Sequence, residues 1–168
     1  MNDKLEVWLS GPLNNIPQML QPVAHALLQA REEISSLLVD FPEALLWAKP
    51  AGLASPGFHL QHIAGVINRL FTYAQNRQLN QQQLNELALE GKINKDITIL
   101  MLVAIFNRQV DTALVQLSTE KEFTLTELRL VGRAQLSSTV IGLYVHAAEH
   151  TMRHLGQLLV TIKVLNAK

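Results

Sequence analysis

Five of the six histidines in this chain fall into two short stretches, His59 and His62 in one and His146, His150 and His154 in the other. Imidazole is the side chain of proton transfer near neutral pH and the commonest metal ligand, so a cluster of this kind demands a chemical reading. On a helix, residues four apart carry their Cβ atoms ~5–6 Å from one another on one face, which lets two neighbours of the row 146, 150 and 154 reach one ion. A third ligand must then come from another helix, and His59 and His62 offer it. Burying several uncompensated imidazoles is costly, and coordination removes that cost. The competing reading is a set of core or surface histidines satisfied by hydrogen bonds. Helical bundles do build metal sites from facing helices, which favours the ion.

A second pattern overlaps the first. His146-Ala-Ala-Glu149-His150 matches the inverted H-x-x-E-H motif of some zinc proteases, with Glu149 as the base. The simpler reading of Glu149 is an outer-face pair with Arg153 at i, i+4, worth a few tenths of a kcal/mol.

The elements that must position these rings read as follows. Ile16, Leu20, Val23, Leu27, Ile34 and Leu38 recur at helical spacing, with Asn15 placed to cap and Pro17 and Pro22 near the first turns, predicting a first helix over 16–38. Phe41-Pro42 stops it, and 43–49 makes a further helical turn. Ser55-Pro56 is an N-cap followed by a first-turn proline, and His59, His62, Val66, Leu70 and Tyr73 then line one face of a second helix ending near Asn76. Leu84, Leu87 and Ala88 before Gly91 suggest a brief helix within a polar connection. Asp96 begins a third main helix, whose Ile99, Leu102, Val103, Phe106, Val110 and Leu114 cover much of its circumference to about Leu117. Between Ser118 and Ser137 the pattern breaks, and Phe123, Leu125, Leu130 and Gly132 predict an extended crossover. Ser137-Ser138 then caps a final helix to about Leu165, in which Gly142 and Gly156 suggest close backbone approach. The whole chain, 1–168, reads as one all-α domain: four main helices with long connections, a four-helix bundle.

Composition narrows the function. At 168 residues, 48% hydrophobic and 17% charged, the chain can bury a sizeable core and is no candidate for disorder. Fourteen basic residues balance fourteen acidic ones, which removes the electrostatic footprint that phosphate backbones require and argues against a nucleic-acid partner. With no cysteine there is neither a disulfide nor a protein thiol, so sulfur chemistry must use a thiol from outside. The opening MNDKLEVWLSG lacks the pattern of a signal peptide, and the apolar run 97–106 falls short of the ~20 residues that span a bilayer. The expectation is a cytoplasmic protein without a membrane partner.

The segment HTMRHLGQ, residues 150 to 157, resembles the H-x-x-x-H-x-G-Q signature on the last helix of the DinB/YfiT-like superfamily, and His62 in HLQHIAG is similar to that family's single histidine on the second helix. LVGRAQLSSTVIGLYVHAAEHTMRHLGQ is similar to one branch of it. The resemblance covers nearly the whole chain in order and length. It implies a four-helix bundle with long crossover connections and one divalent ion (zinc, nickel, iron or manganese) held by His62, His150 and His154, with open positions for water or substrate. His59, His146 and Gln157 then belong to the pocket wall or stand behind the ligands, and His25 is a partly exposed structural residue.

An open position on a three-histidine ion can bring a bound water to a pKa of about 7 or ionise a bound thiol. The resemblance implies a metal-dependent transferase using a low-molecular-weight thiol, with metal-assisted hydrolysis as its neighbour; Tyr73, Tyr144 and Gln157 are candidates to hold the electrophile. The alternatives are a metal- or small-ligand-binding module without turnover, and a bundle with structural histidines whose apolar helices serve association. A homodimer is expected.

Overall fold

The computed structural model describes residues 5–167, so the first four residues of the stretch read as lacking a signal peptide lie outside it. The chain is mostly helical. Four long helices, α1 (Gln21–Leu37), α2 (Pro56–Ala74), α4 (Ile99–Thr119) and α5 (Val140–Asn166), make the core; α3 (Gln81–Leu89) is short; a hairpin of β1 (Leu128–Val131) and β2 (Leu136–Thr139) precedes α5. Both α1 and α2 pack against both α4 and α5. Leu27, Ile34, Ile63, Ile67, Phe106, Leu117, Tyr144, Leu158 and Ile162 are almost fully buried between them.

Helix starts differ from the sequence reading for identifiable reasons. Asn15 does not cap α1: it turns in the left-handed region at φ 63°, and Pro17 is held extended at ψ 144°. A 3-10 turn over Gln18–Leu20 then delivers the chain to α1. The Gln21 side chain bridges that lead-in, accepting from Leu13 N–H at 2.8 Å and donating to the carbonyls of Leu13 at 2.9 Å and Ile16 at 2.8 Å. Helix α4 starts at Ile99, not Asp96, because the Thr98 hydroxyl accepts from Met101 N–H at 3.2 Å. The Glu43 carboxylate also closes on Ile99 N–H at 3.0 and 3.1 Å, where the helix end favours an anion. Ser55 caps α2 as its sequence implies, accepting from Phe58 N–H at 3.2 Å.

The crossover is a hairpin. Leu128 pairs with Thr139 and Val131 with Leu136, and Gly132 at φ 65° makes the turn. Leu125 is buried there, whereas Phe123 and Leu130 are exposed. Arg129 Nε donates to the Ala74 carbonyl at 2.7 Å, tying the hairpin to the end of α2. Strand β2 absorbs Ser137 and Ser138, so Thr139 becomes the cap of α5, accepting from Gly142 N–H at 3.1 Å.

The two glycines of α5 do not mark a helix contact. A Cβ at Gly142 would meet only the Ser138 and Thr139 hydroxyls, at 3.0 Å, and one at Gly156 would meet open space. Helix α4 is also longer and more apolar than the 97–106 run suggested: by length and composition it could cross a membrane. In this fold it buries one face through Ile99, Leu102, Phe106, Val110, Ala113 and Leu117 and leaves Leu100, Met101, Ile105 and Val115 exposed.

Candidate metal centre

The site forms where α2 packs against α5. Helical spacing puts His59 and His62 on the α2 face toward α5, and the row 146, 150 and 154 lies along α5. His62 Nε2 stands 2.9 Å from His150 Nε2, and His59 Nδ1 stands 3.0 Å from His154 Nδ1. Ring centroids of His62 and His154, and of His150 and His154, are 4.6 Å apart. One ring nitrogen from each of His62, His150 and His154 lies within 4.8 Å of the other two, so these three can hold a metal ion.

The donors suit such an ion. Burial, and then the neighbouring His62, lower the pKa of His154 to about 4, with His150 and His59 adding to the effect. Burial and His62 likewise bring His59 to about 4, and His150 is lowered for the same two leading reasons. Neutral imidazoles are what coordination requires. Nitrogens bonded at ~2.0–2.1 Å to a tetrahedral zinc stand roughly 3.3 Å apart, within the spread seen here. His150 Nδ1 is buried with no hydrogen-bond partner, an unsatisfied group of the sort that marks a functional site.

The remaining sequence candidates are distributed around this trio. His59 is buried, 3% exposed, and touches the cluster through His154. His146 is half-exposed, 3.4 Å from the Glu149 carboxylate, with its ring centroid 5.3 Å from that of His150. Glu149 is bonded to Arg153 on the exposed side of α5, in the pairing expected of an outer face. Gln157 is exposed, because the buried stripe here runs through Leu155, Leu158 and Ile162. Tyr73 lines a cleft of about 270 Å³ shared with His62, His146, His150, Val66 and Leu70. Tyr144 points into the core instead: it accepts from Gln116 Nε2 at 2.9 Å and donates to Glu120, and burial followed by that carboxylate pushes its pKa up. His25 is remote, its Nε2 donating to the Gly11 carbonyl at 3.1 Å.

Sequence reasoning missed the group behind His62. Glu90, just past the end of α3, places Oε2 2.6 Å from His62 Nδ1 and Oε1 2.6 Å from Arg69 Nη1, with its side chain only 8% exposed. Burial pushes its carboxyl up, but hydrogen bonds from His62 and Arg69, with the guanidinium charge, outweigh burial and hold it below the usual range. Phe58 stacks on His62 at 5.1 Å with 13° between the planes. Two glycines clear the space: a Cβ at Gly65 would lie 2.5 Å from both Arg69 Nη1 and Glu90 Oε1, and Gly91, at φ 73°, would press one to 3.0 Å from Phe58. Arg69 was discoverable, lying seven residues after His62 and so two turns on along one face. Glu90 was not, since nothing in a Glu-Gly helix end refers to a histidine 28 residues away.

Known proteins bear on this arrangement in two ways. No curated protein sequence matches the chain. A crystal structure of a structural-genomics target from Streptococcus pneumoniae is similar to it with a TM-score of 0.65 at 15% identity, over 90% of this chain and 91% of that one, a likeness of fold. The model of the DinB superfamily matches residues 26–158, a span holding α2, the first part of α5 and all three converging histidines. By that match the chain belongs to the DinB superfamily.

Proposed function

We propose that this protein is a four-helix bundle of the DinB/YfiT type that holds one divalent ion with His62, His150 and His154 and joins an intact external low-molecular-weight thiol to an electrophile, the S–H proton departing as the S–C bond forms and the electrophile's multiple bond or leaving group taking the displaced electron pair. The observation that carries the reading is the convergence of three imidazole nitrogens within 4.8 Å on two facing helices. Zinc, nickel, iron and manganese are all admitted by three imidazoles, and availability decides among them.

The ion, when bound, supplies the charge that lets a thiol ionise near neutral pH. The chain supplies everything else. His62 and His150 open onto a shallow cleft whose apolar wall is made by Val66, Leu70 and Tyr73, where a small electrophile can rest beside them. Tyr73 offers a hydroxyl on that wall, and His146, half-exposed at the same cleft, is the ring available to take up the thiol proton. With no cysteine in the sequence, a thiol nucleophile has to come from outside the chain.

Loading with cobalt and titrating small thiols tests this directly. A thiolate-to-cobalt charge-transfer band, together with conjugation to a generic electrophile that a chelator abolishes, is the expected result. Cobalt binding with neither would reduce the protein to a metal-binding module without turnover.

A further inference from the structure

An ionised carboxylate can only accept hydrogen bonds, and a neutral imidazole carries one N–H. Glu90 Oε2 at 2.6 Å from His62 Nδ1 therefore puts the proton of a neutral His62 on Nδ1 and leaves the Nε2 lone pair free on the side of His150. We propose that Glu90 is a positioning residue for His62, held by Arg69, which presets the tautomer that presents Nε2 to an ion shared with His150 and His154. The proposal rests on the metal reading above and adds a role for the α3 end.

Four residues of α2 serve this one carboxylate. Arg69 Nη1 donates to Oε1 at 2.6 Å, so the two oxygens are assigned to different donors and the carboxylate cannot rotate without losing both. Gln61 Oε1 accepts from Gly91 N–H at 2.8 Å, anchoring the backbone directly behind Glu90. Phe58 packs against both Gly91 and the face of His62. Gly65 leaves the space in which the ion pair sits. A carboxylate that merely docked α3 would need none of the alignment onto Nδ1; hydrogen-bonded carboxylates behind ligating histidines are how such rings are oriented.

The same logic passes to the next ring. With His62 Nε2 unprotonated, the 2.9 Å contact needs His150 to carry its proton on Nε2. His150 Nδ1 is then a lone pair, which is the buried nitrogen that has no partner. In the metal-free protein, two adjacent ligands thus hold opposite tautomers: His62 is ready, and His150 must move its proton from Nε2 before that nitrogen can serve.

Glu90→Gln separates positioning from packing because it is isosteric. Arg69 has only donors to offer, so the new side chain must turn its carbonyl to Arg69 and its NH2 to His62, which forces His62 into the Nε2–H tautomer. Long-range 1H–15N spectra of the metal-free protein read both forms without any activity. The wild type should show Nδ1–H at His62 and Nε2–H at His150; the variant should show Nε2–H at His62 and bind zinc roughly 10–100-fold more weakly. If the variant does not fold, the wild-type spectrum decides alone. An Nε2–H tautomer at His62 in the wild type, or unchanged tautomer and zinc affinity in the variant, overturns the proposal. A wild type that shows Nδ1–H but takes up no zinc would refute the metal reading while leaving the Glu90 assignment standing.

Discussion

His59 and His154 meet through their Nδ1 atoms at 3.0 Å, so in the neutral pair one ring carries its proton on Nδ1 and the other presents a lone pair there. When His154 is the donor in this contact, its Nε2 lone pair is the one it can offer to an ion. His59 therefore stands behind one of the three candidate ligands, and His59→Ala should weaken zinc binding by about 10–100-fold without abolishing it. Competition against a fluorescent zinc chelator measures the change; full loss of binding would make His59 a ligand.

Stoichiometry tests the trio itself. Purified without a histidine tag and reconstituted with zinc, the protein should hold about one ion per chain, and the His150→Ala, His154→Ala double variant should hold none. His62→Ala should fall further than His146→Ala, whose half-exposed ring lies outside the converging three. Elemental analysis that finds His146 essential and His62 dispensable would transfer the site to the inverted protease motif.

Acid should unfold the metal-free protein through the same rings. His59 and His154 hold folded values of about 4, below the ~6.5 of an unfolded chain, so the unfolded state binds more protons between those two values. Their contribution to stability is complete above ~6.5 and is lost as pH falls toward 4. Melting temperatures of the chelator-treated protein should drop across that window, less steeply in His59→Ala, and a flat profile would contradict the burial seen here.

Thr139 provides a control away from the site. Its hydroxyl accepts from Gly142 N–H at 3.1 Å and closes the start of α5. Thr139→Ala should cost about 1 kcal/mol by denaturant unfolding and leave zinc stoichiometry unchanged.

The main helices and the two histidine stretches were legible because both are local or periodic properties, whereas the choice of His62, His150 and His154 among the five came from the family resemblance. Ser55-Pro56 announced α2, and four-residue spacing put His150 and His154 on one face before any contact was known. Starts were legible only where the cap was unambiguous. Ser137, Ser138 and Thr139 all make good caps, and β2, which runs through both serines and ends on Thr139, decided for the third. The hairpin was hidden because burial alternates along β1 without a matching apolar alternation: Arg129 and Val131 turn partly inward while Leu128, Leu130 and, on β2, Leu136 stay exposed. Glu90 was hidden for a different reason: its role depends on how α3 lands on α2, which is set by Gln83 donating to Asn68 at 2.5 Å and Thr72 at 2.8 Å, and no spacing rule reports such a docking.

Gly65 sits in the middle of α2, where an alanine would ordinarily raise helix stability by about 1 kcal/mol. The atoms its Cβ would strike, 2.5 Å away, are the side-chain ends of Arg69 and Glu90 and not a neighbouring backbone, so the helix would survive the change and the ion pair would give way. The pair is buried, with side chains 11% and 8% exposed, so its displacement sets a cost of its own against the gain of about 1 kcal/mol in the helix. Glycine holds this place in α2 on behalf of a carboxylate that arrives from α3, not for any need of the helix itself.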